Sequence, residues 1–337
     1  MEKKKLYVLY QADDNYAVFM GVSILSLFIN NQDLDINIYI LDAGISKANK
    51  IKIVSMAKRY HQKIFFKSMI LLMKKLQGLA ITKYTGFRKN KVSFYKLFLE
   101  YILPQEIDNI LYIDCDTIVQ GNLYDLTEID MADSPVGMVQ DALATKAFKK
   151  SIGFSNEDKY FNSGVILFNI QQWIDKKCLE RIVKHAQEGH VYGTVDQDYL
   201  NVVLKNEIFS LKIEYNLQSP YFIYNYNFFE KIFVHNHDYY SLNEIDSGIV
   251  NPKIIHFLRF CGESPWHKDN LHPCTIYFDE YLKESSWKEY QKKQSANDGL
   301  IFKIEKLMYQ IFPRNLFCII FRIVHDNMLN KSRKKTH

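Results

Sequence analysis

"NILYIDCDTIV", residues 109–119, ends an apolar run in two aspartates one residue apart. Read as a strand, the run sets Asp114 and Asp116 side by side at its end, because side chains two residues apart point to the same face. At about 6 Å and an effective dielectric near 20, two unit charges of like sign repel by roughly 3 kcal/mol. A pair of Arg or Lys, a shared proton, or a divalent metal that favours hard oxygen ligands would offset that repulsion. The motif alone leaves the three open, since acidic residues also cap helices and close turns.

Outward from this run, helical and strand periodicities alternate. "SFYKLFLEYIL" (93–103) has the spacing of an amphipathic helix, stopped by Pro104. Earlier come a strand "KLYVLYQ" (5–11), a helix "YAVFMGVSILSLFIN" (16–30), a strand "INIYILDAG" (36–44), a helix over 46–60 with Ser46 as N-cap, and a strand "KIFF" (63–66). Later come strands over 135–140 and 164–169 and helices over 178–189 and 196–204. This order predicts an α/β sheet, mostly parallel, flanked by helices. Ligands in such sheets sit beyond the carboxyl ends of strands, where both Asp13-Asp14 and Asp114-x-Asp116 fall. Neither GxGxxG nor GxxxxGK[ST] occurs, so a dinucleotide fold or P-loop has no support.

Composition narrows the class. The 337 residues, with 23 Tyr and 23 Phe, suffice for one large domain and a smaller region and exclude a disordered or low-complexity chain. The net charge of +5 is uneven: residues 283–337 hold 12 Lys or Arg against 5 Asp or Glu, which leaves residues 1–282 slightly acidic. A nucleic-acid reader carries its positive charge on the folded body, so none is expected as a partner. Five cysteines without a CxxC pair argue against a disulfide framework or thiolate zinc site and fit a cytoplasmic protein. The apolar run after "MEKKK" is too short for an export signal, which makes the sequon at Asn330 incidental.

Two further stretches bear on chemistry. His256 ends the apolar strand of "PKIIHFLRF" (252–260) and precedes the loop "FCGESPWH". Two carboxylates and one imidazole suit Mn²⁺ or Mg²⁺, the imidazole favouring manganese, with positions left for phosphate oxygens. "QADDNY" is acidic at a strand end, where an acid would repel phosphate. Asp13 there suits a base or sugar donor, with Tyr16 as a stacking surface, or serves as a cap on the helix that follows.

"ADDNYA", "LDAGIS", "ILYIDCDTIV", "YFNSGVILFN", "DQDYLN" and "HFLRFCGESPWH" occur in the order seen in glycosyltransferase family 8, which the chain resembles over roughly residues 5–270. The resemblance implies a GT-A type fold, a UDP-sugar donor, a glycan, glycolipid or glycoprotein acceptor, a Mn²⁺ ion and transfer of galactose or glucose with retention. It implies a transferase domain over residues 1–270. Asp114, Asp116 and His256 become metal ligands. Asp13 and Tyr16 fall to the uracil, Asn15 to the ribose, and Ala12, Cys115 and Gly262 to the rest of the nucleotide. Asp141 and Asn162 would hold donor-sugar hydroxyls, and Asp196 with Gln197 would line the reacting face. Two positions depart from the family: Lys96 stands where Arg is usual, so a fork becomes a point charge. The diphosphate-binding Lys near Trp266 is missing, with Arg259 or His267 as candidates to replace it.

The sequence-level rivals are a phosphohydrolase of the haloacid dehalogenase type, whose hydrophobic-DxDx[TV] strand end "YIDCDTIV" also fits, and a UDP-sugar-binding protein without turnover. Residues 271–337 are expected to form a helical, basic region. On "LIFKIEKLMYQIF" (300–312), Leu300, Ile304, Leu307, Met308 and Ile311 share one face, and Lys303, Lys306 and Gln310 the other. With the basic end "NKSRKKTH", this suits a peripheral contact with anionic lipid on the inner face of the plasma membrane, or a helix packed on the core.

Overall fold

A computed structural model describes residues 3–70, 72, 92–190, 192–224, 237–296, 299–321 and 323. The basic end from residue 324, with Asn330, lies outside the described residues.

The chain begins β1 (Lys4–Ala12), α1 (Ala17–Asn30), β2 (Leu34–Asp42), α2 (Lys47–Arg59) and β3 (Lys63–Ser68). It continues with β4 (Asn109–Ile113), β5 (Thr117–Val119), β6 (Val136–Gln140), α3 (Lys146–Ser151), β7 (Phe161–Asn169), α4 (Ile170–Asp175), α5 (Cys178–Gln187) and α6 (Val195–Val203). β8 (Ile208–Ser210), β9 (Leu217–Gln218), α7 (Leu242–Val250), β10 (Ile254–His256), α8 (Thr275–Glu284) and α9 (Leu300–Ile311) complete it.

A seven-stranded sheet has the order β3-β2-β1-β4-β7-β6-β8. All neighbours are parallel except those of β7, which runs antiparallel to both β4 and β6. Because strand side chains alternate, β1 feeds two cores: Val8 and Tyr10 pack with α1 and α2, and Leu9 packs with the layer around Phe98, Trp173 and Tyr199. α1 is apolar on nearly every side and is buried accordingly, between the sheet and α8, where Phe278 meets Phe19 and Trp266.

Two expectations change. The stretch 93–103 forms short 3-10 turns, Val92–Leu97 and Leu99–Tyr101, instead of one amphipathic helix. Phe94 through Leu99 are all buried, and a helix with one wet face cannot bury six consecutive residues. Asp114 and Asp116 do not share a strand face. β4 ends at Ile113, and the pair sits in the turn to β5, which belongs to a second sheet ordered β5-β10-β9.

The antiparallel course of β7 matters for the site. β1, β4 and β6 end at one edge of the sheet, while β7 begins there, so Asn162, Ser163 and Gly164 arrive beside Ile113 and Gln140. The β6–β7 register shifts between Met138 and Val139, a bulge that re-aims β7 side chains at this edge.

Candidate functional site

The turn after β4 and the end of β10 bring Asp114, Asp116 and His256 together, one ligand atom from each lying within 4.8 Å of the others. His256 Nε2 stands 3.4 Å from Asp116 Oδ1. Its Nδ1 faces Asn216 Oδ1 at 3.1 Å. An amide oxygen only accepts, so Nδ1 carries the proton and Nε2 is turned to the carboxylates, the arrangement a metal-ligating imidazole needs. Gly164 makes room for the ring: a Cβ there would stand 2.1 Å from His256 Cε1.

The charges here act directly on one another. Burial, reinforced by Asp116, raises the Asp114 carboxyl to about 6 despite Lys96 and His256. Burial also works against charge on Asp116, but His256 outweighs it and holds that carboxyl below its usual range. His256 resists its burial in turn and is raised by Asp116, Asp114 and Asp141. Two carboxylates and an imidazole with its outer nitrogen engaged could hold a divalent ion with hard-ligand character.

A chain of hydrogen bonds runs from this triad through the other candidate residues. Asn216 Nδ2 donates to Asn162 Oδ1 (2.9 Å), and Asn162 Nδ2 to Asp141 Oδ2 (3.0 Å). Gln197 Nε2 donates to the same Asp141 oxygen (3.2 Å) and to the Tyr160 hydroxyl (3.0 Å), while Gln197 Oε1 accepts from the Ser163 N–H (3.0 Å). Ser163 Oγ donates to Asp196 Oδ2 (2.9 Å), which also meets Lys96 Nζ at 2.7 Å. Lys96 is almost fully buried, donates to the Ser163 carbonyl and lies 4.1 Å over the Tyr112 ring. The Tyr112 hydroxyl donates to Asp114, which closes the circuit.

The β1–α1 turn lies at the same sheet edge. Asp13 Oδ1 accepts from the Tyr16 N–H (3.1 Å) and Oδ2 from Asn15 Nδ2 (3.2 Å), which folds the turn before α1; the helix N-cap is Tyr16, without a side-chain bond, so Asp13 is not the cap. Asp14 ties the turn to α2 through the Ser46 N–H and Asn49. Ala12 and Cys115 are buried, the Cys115 thiol bonding the Gln11 carbonyl. Arg259 acts electrostatically on both the Tyr16 hydroxyl and Asp116. His267 instead accepts the Ser264 N–H at Nδ1, and burial followed by Arg259 lowers its pKa. Gly262 (φ +72°) has Phe302 of α9 2.7 Å from where a Cβ would stand, so its lack of a side chain serves the packing of α9.

Ser163, Asn216, Tyr112 and Tyr160 were not singled out from sequence. Ser163 lay within "YFNSGVILFN", but Asn216 is 40 residues from His256 and 54 from Asn162, with no local pattern to mark it.

The model of the family described as Glycosyl transferase family 8 matches residues 7–270. General stress protein A of Bacillus subtilis (strain 168) is 27% identical over 290 residues, 84% of this chain and 94% of that protein. Lipopolysaccharide 1,2-glucosyltransferase of Escherichia coli (strain K12) is 27% identical over 287 residues, 84% of this chain and 79% of that protein. The structure of galactosyltransferase LgtC in complex with donor and acceptor sugar analogs superposes with a TM-score of 0.66 at 23% identity, covering 83% of this chain and 96% of that one. The sheet and its helices therefore have the GT-A type fold. A match over most of the described sheet and every residue of the circuit leaves no place for the phosphohydrolase reading: the chain belongs to glycosyl transferase family 8.

Proposed function

We propose that this chain transfers galactose or glucose from a UDP-hexose to a hydroxyl of a glycan, glycolipid or glycoprotein, with retention at the anomeric carbon and with Mn²⁺ held by Asp114, Asp116 and His256. The observation that carries the reading is the convergence of those three ligands beside the Asp141–Gln197 circuit. Relatives named for glucosyl and galactosyl transfer, from Escherichia coli and Salmonella typhimurium, support a hexose donor.

A divalent ion in this site supplies Lewis-acid stabilisation of charge on the departing diphosphate. The chain's own residues do the rest. Ala12, Asp13, Asn15, Tyr16 and Cys115 form the uridine side, and Asp141 and Asn162 present an acceptor and a donor to sugar hydroxyls. Arg259, at Tyr16 and Asp116, is the cation for the diphosphate in place of the missing Lys, since His267 is engaged by Ser264 and kept neutral. Lys96 holds Asp196 and the β7 bulge in place.

Gln197 is fixed at both ends, and its oxygen already accepts the Ser163 N–H. A neutral amide so engaged is a poor nucleophile, but its remaining lone pair can face positive charge developing on the sugar. We therefore assign front-face attack by the acceptor hydroxyl, whose proton passes to the departing phosphate oxygen.

The test is UDP release from UDP-galactose and UDP-glucose with candidate glycan acceptors. Chelation should abolish release, and Mn²⁺ should restore it better than Mg²⁺. Full activity in excess EDTA overturns the metal assignment, and UDP-hexose binding without release under any condition turns the reading to a non-catalytic binder.

The same proposal includes a peripheral contact with anionic lipid at the inner face of the plasma membrane. No helix among the described residues is long and apolar enough to cross a membrane. α9 packs through Phe302, Tyr309 and the Lys306–Glu263 ion pair, while Leu300, Ile304, Leu307 and Ile311 point outward, beside the exposed Lys303. The sequence expectation of one apolar face is thus corrected to two: aromatics inward, aliphatics outward.

A further inference from the structure

A second cluster of metal-ligating side chains lies outside the transferase circuit, at the end of α5. Gly189 (φ +92°) reverses the chain there and lays the His190 ring over that of His185, with centroids 4.1 Å apart. Glu188 Oε2 stands 3.9 Å from His185 Nδ1 and 3.9 Å from His190 Nε2. One ligand atom from each of the three residues lies within 4.8 Å of the others.

We propose that His185, Glu188 and His190 bind a transition-metal ion of the Zn²⁺ class, separate from the ion assigned to Asp114, Asp116 and His256. Two imidazoles and one carboxylate form a nitrogen-rich set that favours Zn²⁺ over Mg²⁺ or Mn²⁺, with water in the fourth position. Zinc–ligand bonds of about 2.0–2.2 Å put tetrahedral donors roughly 3.3 Å apart, so the observed 3.9 Å separations close by a few tenths of an ångström each. The two rings are near parallel, and His190, half exposed, is the one that turns to converge on the ion.

The surroundings prepare His185 for this role. Its Nε2 bonds the Tyr192 hydroxyl at 2.8 Å, and with the proton on Nε2 the Nδ1 lone pair is left facing Glu188. The His190 carbonyl accepts from the Tyr199 hydroxyl of α6. An ion here therefore ties the end of α5 to the segment entering α6, the helix that carries Asp196 and Gln197.

The test uses the full chain, stripped with chelator, returned to millimolar Mg²⁺ and titrated with Zn²⁺ against a chromophoric chelator. One equivalent should bind and be lost in both H190A and E188A, and Y192F should weaken it by about 10–100-fold through the outer partner of His185. Zn²⁺ should raise the melting temperature of the wild type and leave that of H190A unchanged. No bound equivalent overturns the proposal, as does one that H190A and E188A leave intact and H256A removes. Sugar transfer enters none of these readouts, so the outcome is independent of the proposed activity.

Discussion

Gly164→Ala isolates the geometry of the proposed metal site from the charges that make it up. Gly164 is not in the left-handed region, so the backbone accepts alanine and the whole effect comes from one methyl group. That methyl would stand 2.1 Å from His256 Cε1, 2.6 Å from Nδ1 and 2.9 Å from Nε2. Carbon atoms in contact need about 3.5 Å, so the ring must retreat by about 1.4 Å or β7 must give way. Either motion breaks the 3.1 Å bond to Asn216 and draws Nε2 from Asp116. Overpacking of this kind costs about 1–3 kcal/mol of stability, and a 1 Å misplacement at a reacting centre costs about 100-fold in rate. Urea unfolding, Mn²⁺ titration and UDP release should all register the change. A double-mutant cycle gives the decisive comparison: in a His256→Ala background the methyl meets empty space, and G164A should then cost under about 0.5 kcal/mol. Additive penalties, or a G164A protein with wild-type Mn²⁺ affinity, would refute this account of the site.

Three further perturbations probe other parts of the structure. Lys96→Met keeps the apolar stem but leaves Asp196 without its buried cation and should cost about 3–5 kcal/mol in urea unfolding; a change below 1 kcal/mol would mean the pair is not buried in solution. Asp114 is raised from 3.8 to about 6, so in EDTA the folded state loses stability as pH rises through that window, and D114N should gain about 3 kcal/mol at pH 8 and nothing below pH 3. His256, also raised, adds stability below pH 6.5 that is likewise lost as pH rises; burial lowers His185, His267 and His272 and so acts the other way, and an H256A chain that loses as much stability as the wild type between pH 5 and pH 8 would contradict the sign. Replacing Leu300, Ile304, Leu307 and Ile311 by Gln should abolish co-sedimentation with anionic vesicles while leaving stability within about 0.5 kcal/mol, and vesicle binding by that variant would rule out the outward stripe.

The elements most legible in sequence were the long ones. β1, β2, α1 and α2, of nine to fourteen residues each, lie within two residues of their expected bounds. The failures have definite causes. β5, β9 and β10 are two or three residues long, too short for alternation to appear, so the second sheet was invisible although His256 ends one of its strands. The direction of β7 leaves no trace in composition, since a strand buried on both faces reads the same either way. α7 carried a capping box, Ser241 and Glu244, that a local search for S-x-x-E would have found.

The site divides along the same line. Asp114, Asp116 and His256 stood out because charged groups at the ends of apolar strands conflict with their setting, and conflict is visible locally. The circuit that links them does not announce itself, because Asn216 and Ser163 are satisfied polar residues whose partners, Asn162 on β7 and Asp196 on α6, lie far along the chain, and Tyr112 reads as part of an apolar strand although it bonds Asp114 two residues on. Their importance is a matter of order in space. Asn216 sets the imidazole through Nδ1, and Lys96 offsets Asp196 while it lowers the Asp114 carboxyl that burial raises. The two departures from family pattern act within this frame. Lys96 is oriented by the Tyr112 ring and the Ser163 carbonyl, and Arg259 acts electrostatically on Tyr16 and Asp116 from the loop after His256. That loop is in turn held by α9, through Phe302 on Gly262 and Lys306 on Glu263. Deleting residues 300–337 should therefore lower both the melting temperature and donor affinity, an outcome that separates the packed face of the tail from its outward one.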